Sequence, residues 1–177
     1  MRPFVREMKA GALPGLYLIN MQIRLTDIDA GNWHEALKLE LAPEQERFVA
    51  PNIYSLAEAF VKPEWAIYRP LAVYHGEEMV GFAMYAGDPA SAKNHYVQRL
   101  MIDRKCQGRG FGRAAMVELL KLIREDEGCE EVTLTVNPDN TNARKLYRSL
   151  GFEDTGRLHL GELVYTLRLN RAHDVGD

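Results

Sequence analysis

Apolar and polar positions along this chain change period several times, and each change marks an element. From Gln22 to Thr26 the residues alternate as a half-buried strand does, one face apolar and the other polar. Asn32 followed three residues later by Glu35 has the form of a capping box and predicts a helix through Leu41, and Ser55 with Glu58 predicts another short one. Two apolar and aromatic runs, "LAVYH" and "MVGFAMYAG", flank "GEE" and read as a hairpin. A third run, "YVQRLMI", leads into a glycine-rich loop. Beyond it Ala115, Leu119, Leu122 and Ile123 stand near helical spacing and predict a helix from about Gly110 to Glu127, with Gly128 as its C-cap. "EVTLTV" predicts a strand, "NARKLYRSL" a short amphipathic helix ended by Gly151, and "ELVYTLRL" a final strand. No internal repeat or low-complexity linker interrupts the series. These elements predict an α/β domain: a mixed sheet with helices between its strands.

Composition narrows the picture. With 177 residues, 46% of them hydrophobic, the chain has enough material for one sizeable core. A formal net charge of -3, with acids and bases interspersed, gives no general field for gripping nucleic acid. Cys106 and Cys129 form neither a disulfide framework nor a metal-ligand spacing, which suits a reducing cytoplasm. The five histidines show neither His-Glu-x-x-His nor a Cys/His cluster, so no metal is expected. No apolar run reaches the roughly 20 residues that would cross a bilayer. In residues 1–20, Pro14 and Gly15 break the apolar stretch and no small-residue cleavage site comes after it, so a signal peptide is not expected. The expected organisation is an N-terminal extension or upstream start over 1–20, one domain over 21–170 and a polar tail over 171–177.

The chemistry gathers at "RKCQGRGFGRAAM", where Gly108, Gly110 and Gly112 alternate directly before a helix. Backbone amides at a helix start point outward at the positive end of the dipole and bind anions, phosphate above all, and glycines let the anion come close. A Walker loop is excluded, because Arg113 and Ala114 stand where lysine and a hydroxyl are needed. A dinucleotide fingerprint is met by Gly110, Gly112 and Ala115, but after "EVTLTV" stands Asn137, not the acid that would hold a ribose.

Gln107, Gly110 and Gly112 match the Gln/Arg-x-x-Gly-x-Gly/Ala signature of the Gcn5-related N-acetyltransferases (GNAT), and "NPDNTNARKLYRSLGF" resembles that family's second characteristic segment. Both segments lie in the family's order, and the resemblance covers Met21 to about Leu169. It implies a twisted mixed sheet whose fourth and fifth strands splay apart to admit the pantetheine arm of acetyl-CoA. In that reading the amides of Gln107, Gly108, Arg109, Gly110, Phe111 and Gly112 receive the diphosphate, and Arg109 and Arg113, with Arg104 or Lys105, add charge. The backbone of Leu100, Met101 and Ile102 pairs with pantetheine as an added strand would. Each arginine could equally be a solvated helix residue.

The implied reaction is direct acyl transfer from a thioester to an amine. An amine of pKa near 10.4 is neutral only about once in 10³ to 10⁴ molecules at pH 7, so the site must help remove a proton. A backbone N–H near Leu100 or Met101 is the expected oxyanion donor. Tyr147 stands where many relatives carry the acid for the departing thiolate, although Ala143, Leu146, Tyr147 and Leu150 also form one packing face. Asn142 is expected at the coenzyme or a water, or else as a cap or turn residue, as Asn137 is. Some relatives place a glutamate base where this chain has Gln98, so the base is left open. Cys106, beside Arg104 and Lys105 at a helix start, is a candidate for a lowered pKa.

The stretch "APEQERFVAPNIYSLAEAF" resembles the bacterial branch that acetylates spermine, spermidine and diamines. Glu40, Glu44, Glu46 and Glu58 would suit a polycation, with Glu40 and Tyr54 as the expected acceptor residues. An aminoglycoside, an amino acid or a protein amino terminus stays open as acceptor, as does a sensor that binds acetyl-CoA without turnover. A homodimer is a further expectation.

Overall fold

The computed structural model describes residues 22–64, 66–87, 93–125 and 128–169. The expected extension over 1–20, the polar tail and residues 126–127 of the long helix lie outside the described residues. Strands β1 (Ile23–Asp27), β2 (Ile67–His75), β3 (Glu78–Gly87), β4 (Asn94–Ile102), β5 (Glu131–Val136), β6 (Glu153–His159) and β7 (Glu162–Arg168) form one sheet of seven, ordered β1-β2-β3-β4-β5-β7-β6. All neighbours are antiparallel except β4 and β5, which are parallel and joined through helix α3 (Phe111–Glu125). Helices α1 (Trp33–Ala36), α2 (Asn52–Val61) and α4 (Thr141–Ser149) and a 3-10 turn over Pro43–Phe48 complete the fold.

The sheet is covered on both faces, which is why β3 reads as a continuous apolar run: every residue from Met79 to Ala86 is buried. On one face α3 drives Phe111, Ala115, Met116, Leu119 and Ile123 against Val80, Val97, Val132, Leu134 and Tyr165. The predicted stripe of α3 is therefore its buried face, with Leu122 half-buried at its edge. On the other face Phe82, Met84 and Met101 pack under Ala36, Leu41, Val49 and Leu56.

Three expectations need correction. The helix predicted from Asn32 through Leu41 stops at Ala36, and Asn32 makes no capping box. Its side chain instead accepts from the Asp29 amide (2.9 Å) and donates to the Asp27 carbonyl (3.0 Å), tying down the end of β1. The chain then dips Leu39 and Leu41 into the second core cluster and enters the 3-10 turn at Pro43. The next helix starts at Asn52, behind Pro51, rather than at Ser55, which is fully buried within it. Helix α4 is capped by Asn140, whose side chain accepts from the Ala143 amide (3.1 Å), so Asn142 belongs to its first turn. Strand β6 had no sequence signal.

Candidate active site

The site is made by a failure of pairing. Strands β4 and β5 pair from Asn94 with Glu131 to Val97 with Leu134 and no further, although β4 continues to Ile102 and β5 to Val136. The divergence begins at an irregularity: Met84 opposes Arg99 and Tyr85 opposes Val97, so Gln98 is the extra residue of a bulge in β4. A bulge bends its strand and re-aims the residues beyond it. Residues Leu100 to Ile102 thus leave the β5 side of their backbone facing a cleft instead of a strand.

At the end of β4 the chain turns into the glycine loop. Buried Asp103 braces the turn by accepting from the amides of Glu40 (3.1 Å) and Lys105 (2.9 Å). The Gln107 side chain donates to the Ile102 carbonyl (2.9 Å) and to Gln45 (2.8 Å), pinning the loop to β4 and to the 3-10 turn. Gly108 and Gly110 take φ of +73° and +87°, a region that strains other L residues, and a Cβ at Gly108 would meet open space. Beyond them Phe111 is buried and anchors the start of α3, where the first bond is from the Ala114 amide to the Gly110 carbonyl (3.1 Å). Among the described residues, the amides of Gly108, Arg109, Gly110, Phe111, Gly112 and Arg113 have no protein acceptor. Six donors at the positive end of a four-turn helix suit a diphosphate.

A cleft of about 280 Å³ runs from this loop between β4 and α4, lined by Leu100, Met101, Ile102, Gly108, Gly110, Phe111, Gly112, Asn142 and Tyr147 among others. The predicted coenzyme residues of the loop and of β4 are therefore brought together, while three of the predicted arginines have partners within the protein. Arg113 is engaged at the end of α4, donating to Ser149 Oγ (2.7 Å), and Arg109 lies over the Phe111 ring with its guanidinium 4.7 Å from the centroid. Arg104 is held in an ion pair with Glu40 (2.7 Å).

A second, polar cavity of about 390 Å³ opens on the other side of the splay, bounded by Tyr96, Gln98, Arg99, Thr135, Glu46 and Glu162. Leu100, Ala143, Asn140 and Tyr147 line both spaces, so Tyr147 stands where the two meet. Its ring packs near Phe152, with centroids 5.9 Å apart. Burial, then the charge of Glu162, then Tyr96, push its phenol up to about 12, so it keeps its proton throughout the neutral range.

The expected acceptor residues are not at this junction. Glu40 lines a separate cavity with Leu39 and Arg104, and Tyr54 is 60% exposed on α2 and lines neither space beside Tyr147. Glu58 is spent on Arg99 (3.1 Å). The expectation for Cys106 is reversed: burial first, then Glu78 and Asp103, push its thiol up rather than down. Glu162 was missed; as the first residue of a terminal strand it reads as an ordinary exposed position, and only the sheet order sets it beside β5. No group of three His, Cys, Asp or Glu among the described residues is placed to hold a metal, and no helix there is long and apolar enough to cross a membrane.

Known proteins resemble this chain in sequence and in fold. The chain is 27% identical over 155 residues to the spermine/spermidine N(1)-acetyltransferase of Bacillus subtilis, covering 84% of this chain and all of that protein. It is 30% identical over 139 residues to aminoglycoside N(6')-acetyltransferase type 1 of Stenotrophomonas maltophilia, covering 75% and 86% of the two chains. The fold matches the crystal structure of spermidine N-acetyltransferase from Vibrio cholerae in complex with CoA and spermine, with a TM-score of 0.67 at 17% identity over 84% of this chain and 96% of that one. A family model described as the acetyltransferase (GNAT) family matches residues 33–152. The chain belongs to the GNAT family and is an acetyl-CoA-dependent N-acetyltransferase.

Proposed function

We propose that the acceptor is the primary amine of a polyamine or diamine such as spermidine, with the glycine loop holding the coenzyme and Tyr147 assisting the departing thiolate. The observation that carries the mechanism is the set of unpartnered amides from Gly108 to Arg113, opening onto a cleft that ends at Tyr147. These amides hold the diphosphate of acetyl-CoA, while the free edge of Leu100 to Ile102 positions the pantetheine arm and supplies an N–H to the thioester oxygen. Acetyl-CoA brings an activated acyl group, so no covalent enzyme intermediate is needed.

The ammonium form of the acceptor first loses one proton. Its nitrogen then bonds to the thioester carbonyl carbon, the C–S bond breaks with its electron pair going to sulfur, and the nitrogen sheds a second proton. Of the two protons released, one ends on the CoA sulfur and one in solvent. Tyr147 donates its hydroxyl hydrogen bond to the sulfur as charge develops there. A phenol near 12 gives up its proton only as far as the thiolate is itself raised by the same apolar surroundings, so hydrogen-bond donation is its main contribution.

Polyamine specificity is supported by the Bacillus relative, which is matched along its whole length. The Stenotrophomonas relative favours a second reading, an aminoglycoside amine. Both acceptors are polycations, and both suit a cavity with acidic side chains. Release of free thiol from acetyl-CoA, measured with spermine, spermidine, putrescine, aminoglycosides and peptides, decides among them. Selective turnover of polyamines is the expected result; selective turnover of aminoglycosides would replace the reading, and tight CoA binding with no thiol release would mark a sensor.

A further inference from the structure

The polar cavity beside Tyr147 contains a carboxylate with an organised support. Thr135 Oγ1 donates to Glu162 Oε2, and the Tyr96 hydroxyl lies 2.7 Å from Thr135 Oγ1. A threonine hydroxyl has one proton, and a carboxylate only accepts, so the direction of the chain is fixed: Tyr96 donates to Thr135, which donates to Glu162. Two hydroxyls in series thus orient the Glu162 carboxylate.

The cations lining the same cavity are already committed. Arg99 pairs with Glu58 (3.1 Å) and Arg47 with Asp139 (3.5 Å), and among the described residues no cation pairs with Glu162. A half-buried carboxylate with no cationic partner among the described residues, in a cavity that meets the coenzyme cleft at Tyr147, asks for a ligand that is cationic and rich in N–H.

We propose that Glu162 is the residue that seats the acceptor's ammonium group, with Thr135 and Tyr96 as its brace. This rests on the acetyltransferase reading above and deepens it: the carboxylate comes from β7, across the splay from the strand on which a glutamate is absent. The ligand class is a primary aliphatic ammonium, and the residue acts by binding and orientation.

The test is binding without turnover. Spermidine is titrated by calorimetry into the protein saturated with CoA, for the wild type and Glu162→Gln, which removes charge and keeps shape. The expected result is a Kd for spermidine raised about 10 to 100-fold, with the Kd for CoA within twofold and an unchanged Tm. Glu162→Asp, which keeps the charge, should recover part of the loss. Equal spermidine affinity in wild type and Glu162→Gln, or no binding to either, would overturn the proposal. A loss of CoA affinity and Tm in parallel with spermidine would overturn it too, by placing Glu162 in the scaffold. Failure of the acetyltransferase reading registers separately, as no thiol release from acetyl-CoA with any amine.

Discussion

The Tyr96 hydroxyl stands 2.7 Å from Thr135 Oγ1, bridging β4 and β5 at the point where their backbone pairing ends at Val97 and Leu134. Side chains take over from the ladder there. Tyr96→Phe removes the donor at the head of the chain to Glu162. The expected cost is about 1 kcal/mol of stability, read as a lower urea midpoint with unchanged slope, together with a higher KM for the amine and an unchanged KM for acetyl-CoA. An unchanged amine KM would show that the bridge is structural alone.

Tyr147→Phe should lower kcat about 10 to 100-fold, because only the hydrogen bond to the leaving sulfur is lost and a thiolate departs reasonably well unaided. The phenol is raised to about 12 by its burial and by Glu162, so it stays protonated up to about pH 10 and beyond. The alkaline limb of the kcat profile below pH 10 should therefore be the same in both proteins. A limb that disappears in Tyr147→Phe would assign that titration to the phenol and contradict the raised value.

Gly108→Ala and Gly76→Ala form a matched pair. Both glycines have positive φ, of +73° and +60°, and a Cβ at either meets nothing within 4 Å. Each substitution should cost about 1 kcal/mol in backbone strain. Only Gly108→Ala should also weaken CoA binding, since its Cβ occupies the open approach to the loop amides. Calorimetry with CoA separates the two, and equal CoA affinity in both variants would argue against the loop.

Arg69 holds Asp27 by two hydrogen bonds, of 2.6 and 3.1 Å, and its side-chain hydrogen bonds are the main cause of a carboxyl pKa below the ordinary 3.8. A depressed carboxyl stabilises the fold above its unfolded pKa, and that contribution disappears as pH falls from about 3.8 through the folded value. Both groups are substantially exposed, so the gain is about 0.2 to 1 kcal/mol. Asp27→Asn should lower Tm slightly at pH 7, with the difference from wild type closing below pH 3.8.

Much of the architecture could be read in advance because it derives from period and burial. The unbroken apolar run of β3 is what a strand covered on both faces requires, and the spacing of Ala115, Leu119 and Ile123 is the inner face of α3. The glycine loop was legible because positive φ and open backbone need a particular residue type. Strand β6 was not: only Thr155 escapes full exposure, so it carries no alternation and exists through its pairing with β7. The Asn32 box misled because its side chain found partners in Asp29 and Asp27 instead of the helix. Glu40 was expected at the acceptor from its charge and from the resemblance to polyamine acetyltransferases, whereas in the fold Arg104 pairs with that charge. Glu162 was invisible for the complementary reason, since a long-range sheet neighbour, Thr135, gives it its place.

In the proposed function, backbone nitrogens from Gly108 to Arg113 hold the coenzyme by its diphosphate. Titration of CoA and of pantetheine, which has no phosphate, into ¹⁵N-labelled protein tests it residue by residue in NMR spectra. The predicted result is large shifts of these amide resonances with CoA and little movement with pantetheine. Loop resonances that stay in place while CoA binds would contradict it.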